Sequence, residues 1–200
     1  MLEKIDIAYS SGKEKFVRDK KTEDFNLLDF WSWAYSDCIN NTTRGVLAEF
    51  LVAKALKINL DKPRDAWAKY DLTYKKRYGV EVKSASYHQR WSQKKMSAIN
   101  YNVSSTKAWD ENTNIQEKDS KRQSSFYVLC ILAEKNRPLV NPLNIDQWRF
   151  WVVPTQFFDK RKRSQTSITY NSLIEEVGES ISFKEIKSSV DKLIKSRKIL

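Results

Sequence analysis

The chain has 200 residues, a length that favours one domain with room for a sizeable core. Gly and Pro number only 4 each, which excludes collagenous and low-complexity classes. Lys and Arg total 36 against 25 Asp and Glu, and the resulting charge of +11 favours polyanionic partners, a bias that nucleic-acid-binding proteins share with membrane-surface and heparin-binding ones.

The first readable element in chain order is Lys13 to Asp24, a highly charged stretch expected to be a loose segment or an exposed helix. Leu27, Trp31, Ala34, Tyr35 and Cys38 then recur at helical spacing, so Asn26 to Ile39 is expected to be an amphipathic helix. Asn40 to Thr43 offers N-caps for a second helix running to about Lys57, with Val46, Leu47, Phe50, Leu51 and Ala55 as its apolar stripe. Pro63 to Ala68 reads as a connection.

A compact β signal follows. Tyr70 to Tyr74 is one short strand, Lys75 to Gly79 a turn in which Gly79 is able to take a positive φ, and Val80 to Ala85 the antiparallel partner. Phe126 to Ala133 is an almost unbroken apolar run, as expected of a strand covered on both faces, and Trp148 to Val153 is another. Ser104 to Gln123 is polar and loop-rich. A basic helix at about 183–198 closes the chain, with Phe183, Ile186, Val190, Leu193 and Ile194 as its apolar face. Cys38 and Cys130 show no metal-ligand spacing and read as small buried thiols. The opening MLEKIDIAYSS has no apolar core of signal-peptide length and no run approaches the ~20 apolar residues of a membrane span, so a cytoplasmic protein without a membrane partner is expected.

Side chains alternate along a strand. Val80 and Val82 therefore share one face, and Glu81 and Lys83 the other. If Leu72 joins the valines, Asp71 joins Glu81 and Lys83, and a short hairpin sets Asp71 opposite Glu81 with Cβ atoms ~5 Å apart. Two carboxylates so close repel each other, and a divalent cation between them removes the repulsion. Mg²⁺, or Mn²⁺, suits hard oxygen ligands and can polarise a phosphate. Lys83 beside it can stabilise negative charge. An alternating Glu and Lys strand is more often a solvated face, and the chain carries a second such triplet, Glu185-Ile186-Lys187, on a helical pattern without an upstream strand aspartate.

The order of a helix glutamate (Glu49), Asp71 at the start of a strand and Glu81-Val82-Lys83 on the next strand resembles the PD-(D/E)xK, or restriction-endonuclease-like, nuclease superfamily. That resemblance implies an α/β fold, a mixed β-sheet flanked by helices, over one domain at 1–200. It implies metal binding by Asp71 and Glu81, assistance to the nucleophile by Lys83, and for Glu49 the role of a further metal ligand or water-binding group. Gln89, a few positions after the motif, matches a glutamine that related nucleases place there to hold water or a phosphate oxygen. Asn41 to Glu49, Tyr70-Asp71-Leu72, Glu81 to Ser84 and Tyr87 to Trp91 are similar to a branch of bacterial proteins in this superfamily, mostly without an assigned function. One departure is that Tyr70 stands where the superfamily's proline precedes the aspartate.

The function so implied is a Mg-dependent endonuclease hydrolysing phosphodiester bonds, with DNA as the expected partner, in restriction, defence or repair. The alternative is a catalytically inactive nucleic-acid-binding module of the same fold. A homodimer or a restriction-system partner subunit is compatible with either. His88, the one histidine, and the aromatics Tyr87 and Trp91 around Arg90 are secondary candidates for the site and for base stacking. The clusters Lys75-Lys76-Arg77, Lys94-Lys95, Lys121-Arg122 and Lys160 to Arg163 are either solvated loops or a phosphate track.

Overall fold

The computed structural model describes residues 4–161 and 166–196. Its elements in chain order are β1 (Lys15–Arg18), β2 (Lys21–Asn26), α1 (Leu27–Tyr35), α2 (Asn41–Leu56), β3 (Leu72–Tyr74), β4 (Tyr78–Ser86), β5 (Asn100–Asn102), β6 (Trp109–Asp110), β7 (Ile115–Gln116), β8 (Phe126–Leu132), β9 (Trp148–Pro154), α3 (Thr155–Asp159), β10 (Ser167–Thr169), α4 (Tyr170–Val177) and α5 (Ile186–Lys195). The fold is α/β. A mixed four-stranded sheet in the order β3-β4-β8-β9 pairs β4 parallel to β8 and its other neighbours antiparallel.

β8 is the spine of this sheet, and all of Phe126 to Leu132 is buried. A strand flanked on both edges and covered on both faces has no solvated side, which is why its sequence is continuously apolar. On one face Val80, Val82, Phe126, Val128, Cys130 and Leu132 pack with Ala48 and Val52 of α2 and Ile186 and Val190 of α5. On the other, Ala85, Tyr127, Leu129, Ile131, Trp151 and Val153 pack with Tyr101, Phe158, Ile168 and Leu173. Each fully buried large side chain contributes roughly 1.5–3 kcal/mol of transfer free energy.

Several expectations need correction. Lys13 to Asp24 is neither loose nor helical: β1 and β2 form an exposed hairpin, turned by Asp19 and Lys20 at φ 50° and 63°. α1 ends at Tyr35 rather than Ile39, and none of its residues is buried. Its start follows from chemistry, since Asn26 accepts from the N–H groups of Leu28 and Asp29 while Asp29 accepts from the Asn26 N–H. In α2 the buried face is Ala48, Leu51, Val52 and Leu56, so the stripe is rotated from the expected one and leaves Val46 and Phe50 exposed. The β3–β4 turn places its positive φ at Lys75 and Lys76, 50° and 57°, with the Arg77 N–H donating to Tyr74 O. Gly79 is a strand residue with another purpose: a Cβ there would lie 2.6 Å from Cδ1 of the Tyr70 ring.

Other expectations agree with the described elements. β8 and β9 match the two apolar runs within a residue at their ends. Glu185 and Lys187 fall on a 3₁₀ turn and α5, away from any strand. The closing helix is described as Ile186–Lys195, and positions 197–198 of its expected range lie outside the described residues, as do Lys162 and Arg163 of the last basic cluster. Among the described residues no helix is long and apolar enough to cross a membrane.

Candidate active site

β3 and β4 pair in antiparallel register with Leu72 opposite Val80. Extending that register by one residue sets Asp71, just before the strand, opposite Glu81. The Asp71 carboxylate accepts a hydrogen bond at 2.7 Å from the N–H of Val82, the residue between Glu81 and Lys83. Lys83 Nζ donates to Glu81 Oε1. The alternation of β4 thus brings Asp71, Glu81 and Lys83 together while Val80 and Val82 enter the core beneath them.

Asp71 sits in an unfavourable place for a negative charge. Burial, and then the adjacent Glu81, raise its carboxyl to about 7, with Glu49 adding to the effect and the Val82 N–H and Lys83 opposing it. Tyr127 is the β8 neighbour of Glu81 in register, and burial, then the charge of Glu81, raise its hydroxyl to about 12. It therefore remains a proton-bearing donor at neutral pH.

Glu49 reaches this neighbourhood from α2 and is buried. Arg64 binds it with two donors, Nε to one oxygen and Nη2 to the other at 2.8 Å. The same guanidinium lies 4.0 Å from Asp71 Oδ1. Arg44, in the same helix, serves structure: it donates to Ile39 O at 2.8 Å and Asn41 Oδ1 at 2.7 Å and closes the helix start.

Gln89 lies elsewhere. Its amide donates to Ser86 O and Ser97 Oγ, and its backbone carbonyl accepts from Arg137, so it belongs to the loop after β4. His88 is buried, with Nε2 at 2.8 Å from Lys135 O. Tyr87 packs against the Tyr170 ring and beneath Lys135, whereas Trp91 is exposed. Cys130 is buried and Cys38 half-buried, both free thiols.

A cavity of about 180 Å³ opens over Glu81 and Lys83, lined also by Lys69, Asn102, Ser104, Thr106, Gln123 and Tyr127. Its polar rim comes largely from the long connection between β4 and β8, which carries β5 and is closed on itself by the Thr106–Lys121 bridge. Sequence reasoning missed Arg64, Lys69 and Tyr127. Only Tyr127 left a signal, as the polar member of an apolar run.

Basic clusters meet different fates. Lys75 pairs with Asp191, Lys121 with Glu117, Arg122 with Asp159 and Arg161 with Glu176. Lys94 and Lys95 are exposed.

Fold and site together define an α/β protein with an acid-and-lysine centre on the edge hairpin of a mixed sheet. The chain belongs to the bacteriophage T4 endonuclease IV family, whose model matches residues 2–170, and so to a family of nucleases. No curated protein and no solved structure matches the chain.

Proposed function

We propose that the chain is a metal-dependent endonuclease of the PD-(D/E)xK type, cleaving phosphodiester bonds of DNA at Asp71, Glu81 and Lys83. The observation that carries this reading is the Asp71–Val82 hydrogen bond, which ties one carboxylate to the backbone of the residue between the other two groups. Endonuclease family membership supports hydrolysis over mere binding.

The donor set fits a hard divalent cation in its chemistry. The Asp71 carboxyl is raised to about 7 by burial and by Glu81, a repulsion that a cation held by the two carboxylates would relieve. Among the described residues no three His, Cys, Asp or Glu side chains are grouped to hold a metal on their own. Mg²⁺ tolerates so sparse a set, because it is commonly held by one or two carboxylates and keeps several waters. Asp71 and Glu81 would hold it, with Glu49 in reserve behind Arg64. When bound, such an ion polarises the phosphate and acidifies water.

The remaining work falls to the chain. Lys83, now paired with Glu81, places a positive charge where negative charge develops on the phosphate. Tyr127 offers a hydroxyl donor in the same cavity. Lys69 lines the same cavity and suits a flanking phosphate.

Incubation of the protein with plasmid, linear and single-stranded DNA tests the reading. Strand scission is expected in Mg²⁺ or Mn²⁺ and none in chelator. Salt-sensitive binding without scission in either metal would instead support the inactive module, a state compatible with Glu81 and Glu49 each being paired internally.

A further inference from the structure

A second cavity adjoins the one over Glu81 and Lys83. It measures about 450 Å³, within the roughly 300–1,000 Å³ typical of small-ligand sites. Lys69 lines both cavities, so the two are neighbours across one side chain. The walls of the second include Trp67, Trp109, Tyr70 and Ile115 together with Asp65, Asp110 and Glu117.

Its two indoles are presented in different ways. Trp109 is half-buried and its Nε1–H donates to Asn114 Oδ1 at 3.1 Å, which fixes the ring on the β6–β7 hairpin. Trp67 is 74% exposed, although its backbone N–H is anchored on Asp65 Oδ1 at 2.8 Å. The rings meet nearly edge to face, centroids 5.7 Å apart, and the high exposure of Trp67 leaves its ring open to a ligand. The segment that carries Trp67 also delivers Arg64 to Glu49 and Asp71.

We infer that this cavity is a nucleobase subsite, in which a base lifted out of its stack lies on the open face of Trp67 with Trp109 as the side wall. The inference rests on the nuclease reading of the adjoining site. The acidic lining argues against phosphate as the occupant, because carboxylates repel it, and for a flat neutral ring with polar edges. The shared Lys69 puts that ring within a nucleotide or so of the phosphate held over Glu81 and Lys83. Base–aromatic stacking is worth about 5- to 150-fold in affinity, the equivalent of roughly 1–3 kcal/mol per base. Trp67 and Trp109 are the positioning pair, because the base they hold fixes which phosphate is presented while stacking itself accepts any base.

The test is binding of fluorescent oligonucleotides of about eight nucleotides, each with one abasic position, to the Lys83→Ala variant alone and combined with Trp67→Ala or Trp67→Phe. One abasic position should weaken binding to Lys83→Ala about 5- to 150-fold. Adding Trp67→Ala should remove that positional sensitivity, and Trp67→Phe should retain most of it. Because Trp67 is exposed, its loss should leave the melting temperature within a few degrees. Positional sensitivity that survives Trp67→Ala, or is absent before it, overturns the subsite. Cleavage by the otherwise wild-type protein is read separately. A protein that binds in this position-dependent way yet cuts nothing keeps the subsite and loses the nuclease reading, and the reverse result does the opposite.

Discussion

Asp71 accepts from the backbone of Val82, and this one bond ties the carboxylate just before β3 to the Glu81–Val82 peptide of β4, one residue from Lys83. It keeps Asp71 in place although the charge there is disfavoured. The arrangement has consequences for stability, for the backbone around it and for chemistry.

Stability of the metal-free protein should fall as pH rises from about 4 to about 7. Asp71 moves from 3.8 to about 7 on folding, so the folded state holds the extra proton across that window. Above it the charged carboxylate is destabilising by roughly 1–4 kcal/mol, from about 1.4 kcal/mol per unit with allowance for solvent screening. Asp71→Asn keeps an acceptor for Val82 and removes the charge. Urea melts in chelator should find this variant more stable than wild type at pH 8 and nearly equal at pH 4. Equal stability at both pH values would contradict the assignment.

Arg64 is expected to hold Glu49 as much as to touch the site. Arg64→Ala leaves a buried carboxylate without its two-donor partner, at a cost of roughly 1–3 kcal/mol after discounting for the partly exposed guanidinium. Adding Glu49→Gln should recover most of that loss. Thermal melts of the two single variants and the double variant form the cycle, and strictly additive losses would show that the pair is not coupled.

Two glycines should respond to alanine in opposite ways. At Gly79 a Cβ meets the Tyr70 ring at 2.6–2.9 Å, which pushes the segment carrying Asp71, with destabilisation of roughly 1–3 kcal/mol and loss of activity. At Gly45, inside α2, nothing lies within 4 Å, and the helix should gain up to about 1 kcal/mol. Denaturant melts compare them, and a stable, active Gly79→Ala would show that the Tyr70 contact does not position Asp71.

DNA affinity should fall steeply with salt, because cations that contact phosphate release counterions. Arg122, Arg161 and Lys75 are held in internal ion pairs, so the slope should reflect Lys69, Lys94 and Lys95 more than the total charge of +11 suggests. Replacing Lys69 by Ala should lower the log–log slope by about one. An unchanged slope would remove it from the phosphate path.

What the sequence could reveal was what is encoded locally. The alternation of Val80 to Lys83 needed only the two-residue period of a strand, the run at Phe126 only its unbroken apolar character, and both elements lie where expected. The turn was less legible, because Lys75 and Lys76 take the positive φ that composition assigns to Gly79, whose bare Cα serves the Tyr70 ring instead. The N-terminal hairpin failed for the same reason, being turned by Asp19 and Lys20 without a glycine. The rotation of α2 and the burial of Glu49 depend on how the helix sits over β4, a tertiary choice that a stripe of apolar residues does not specify. Arg64, Lys69, Trp67 and Trp109 enter through segments with no periodicity, and only the fold sets them beside the carboxylates.

The measurement closest to the central claim pairs Mn²⁺ titration by calorimetry with single-turnover cleavage, in wild type, Asp71→Asn and Lys83→Ala. Metal binding and cleavage are expected in wild type, neither in Asp71→Asn, and metal binding with cleavage reduced at least about 100-fold in Lys83→Ala, since lysine is no ligand and acts on the transition state. Full-rate cleavage in Asp71→Asn and Lys83→Ala, or cleavage by wild type undiminished in chelator, would contradict metal-dependent cleavage at this site.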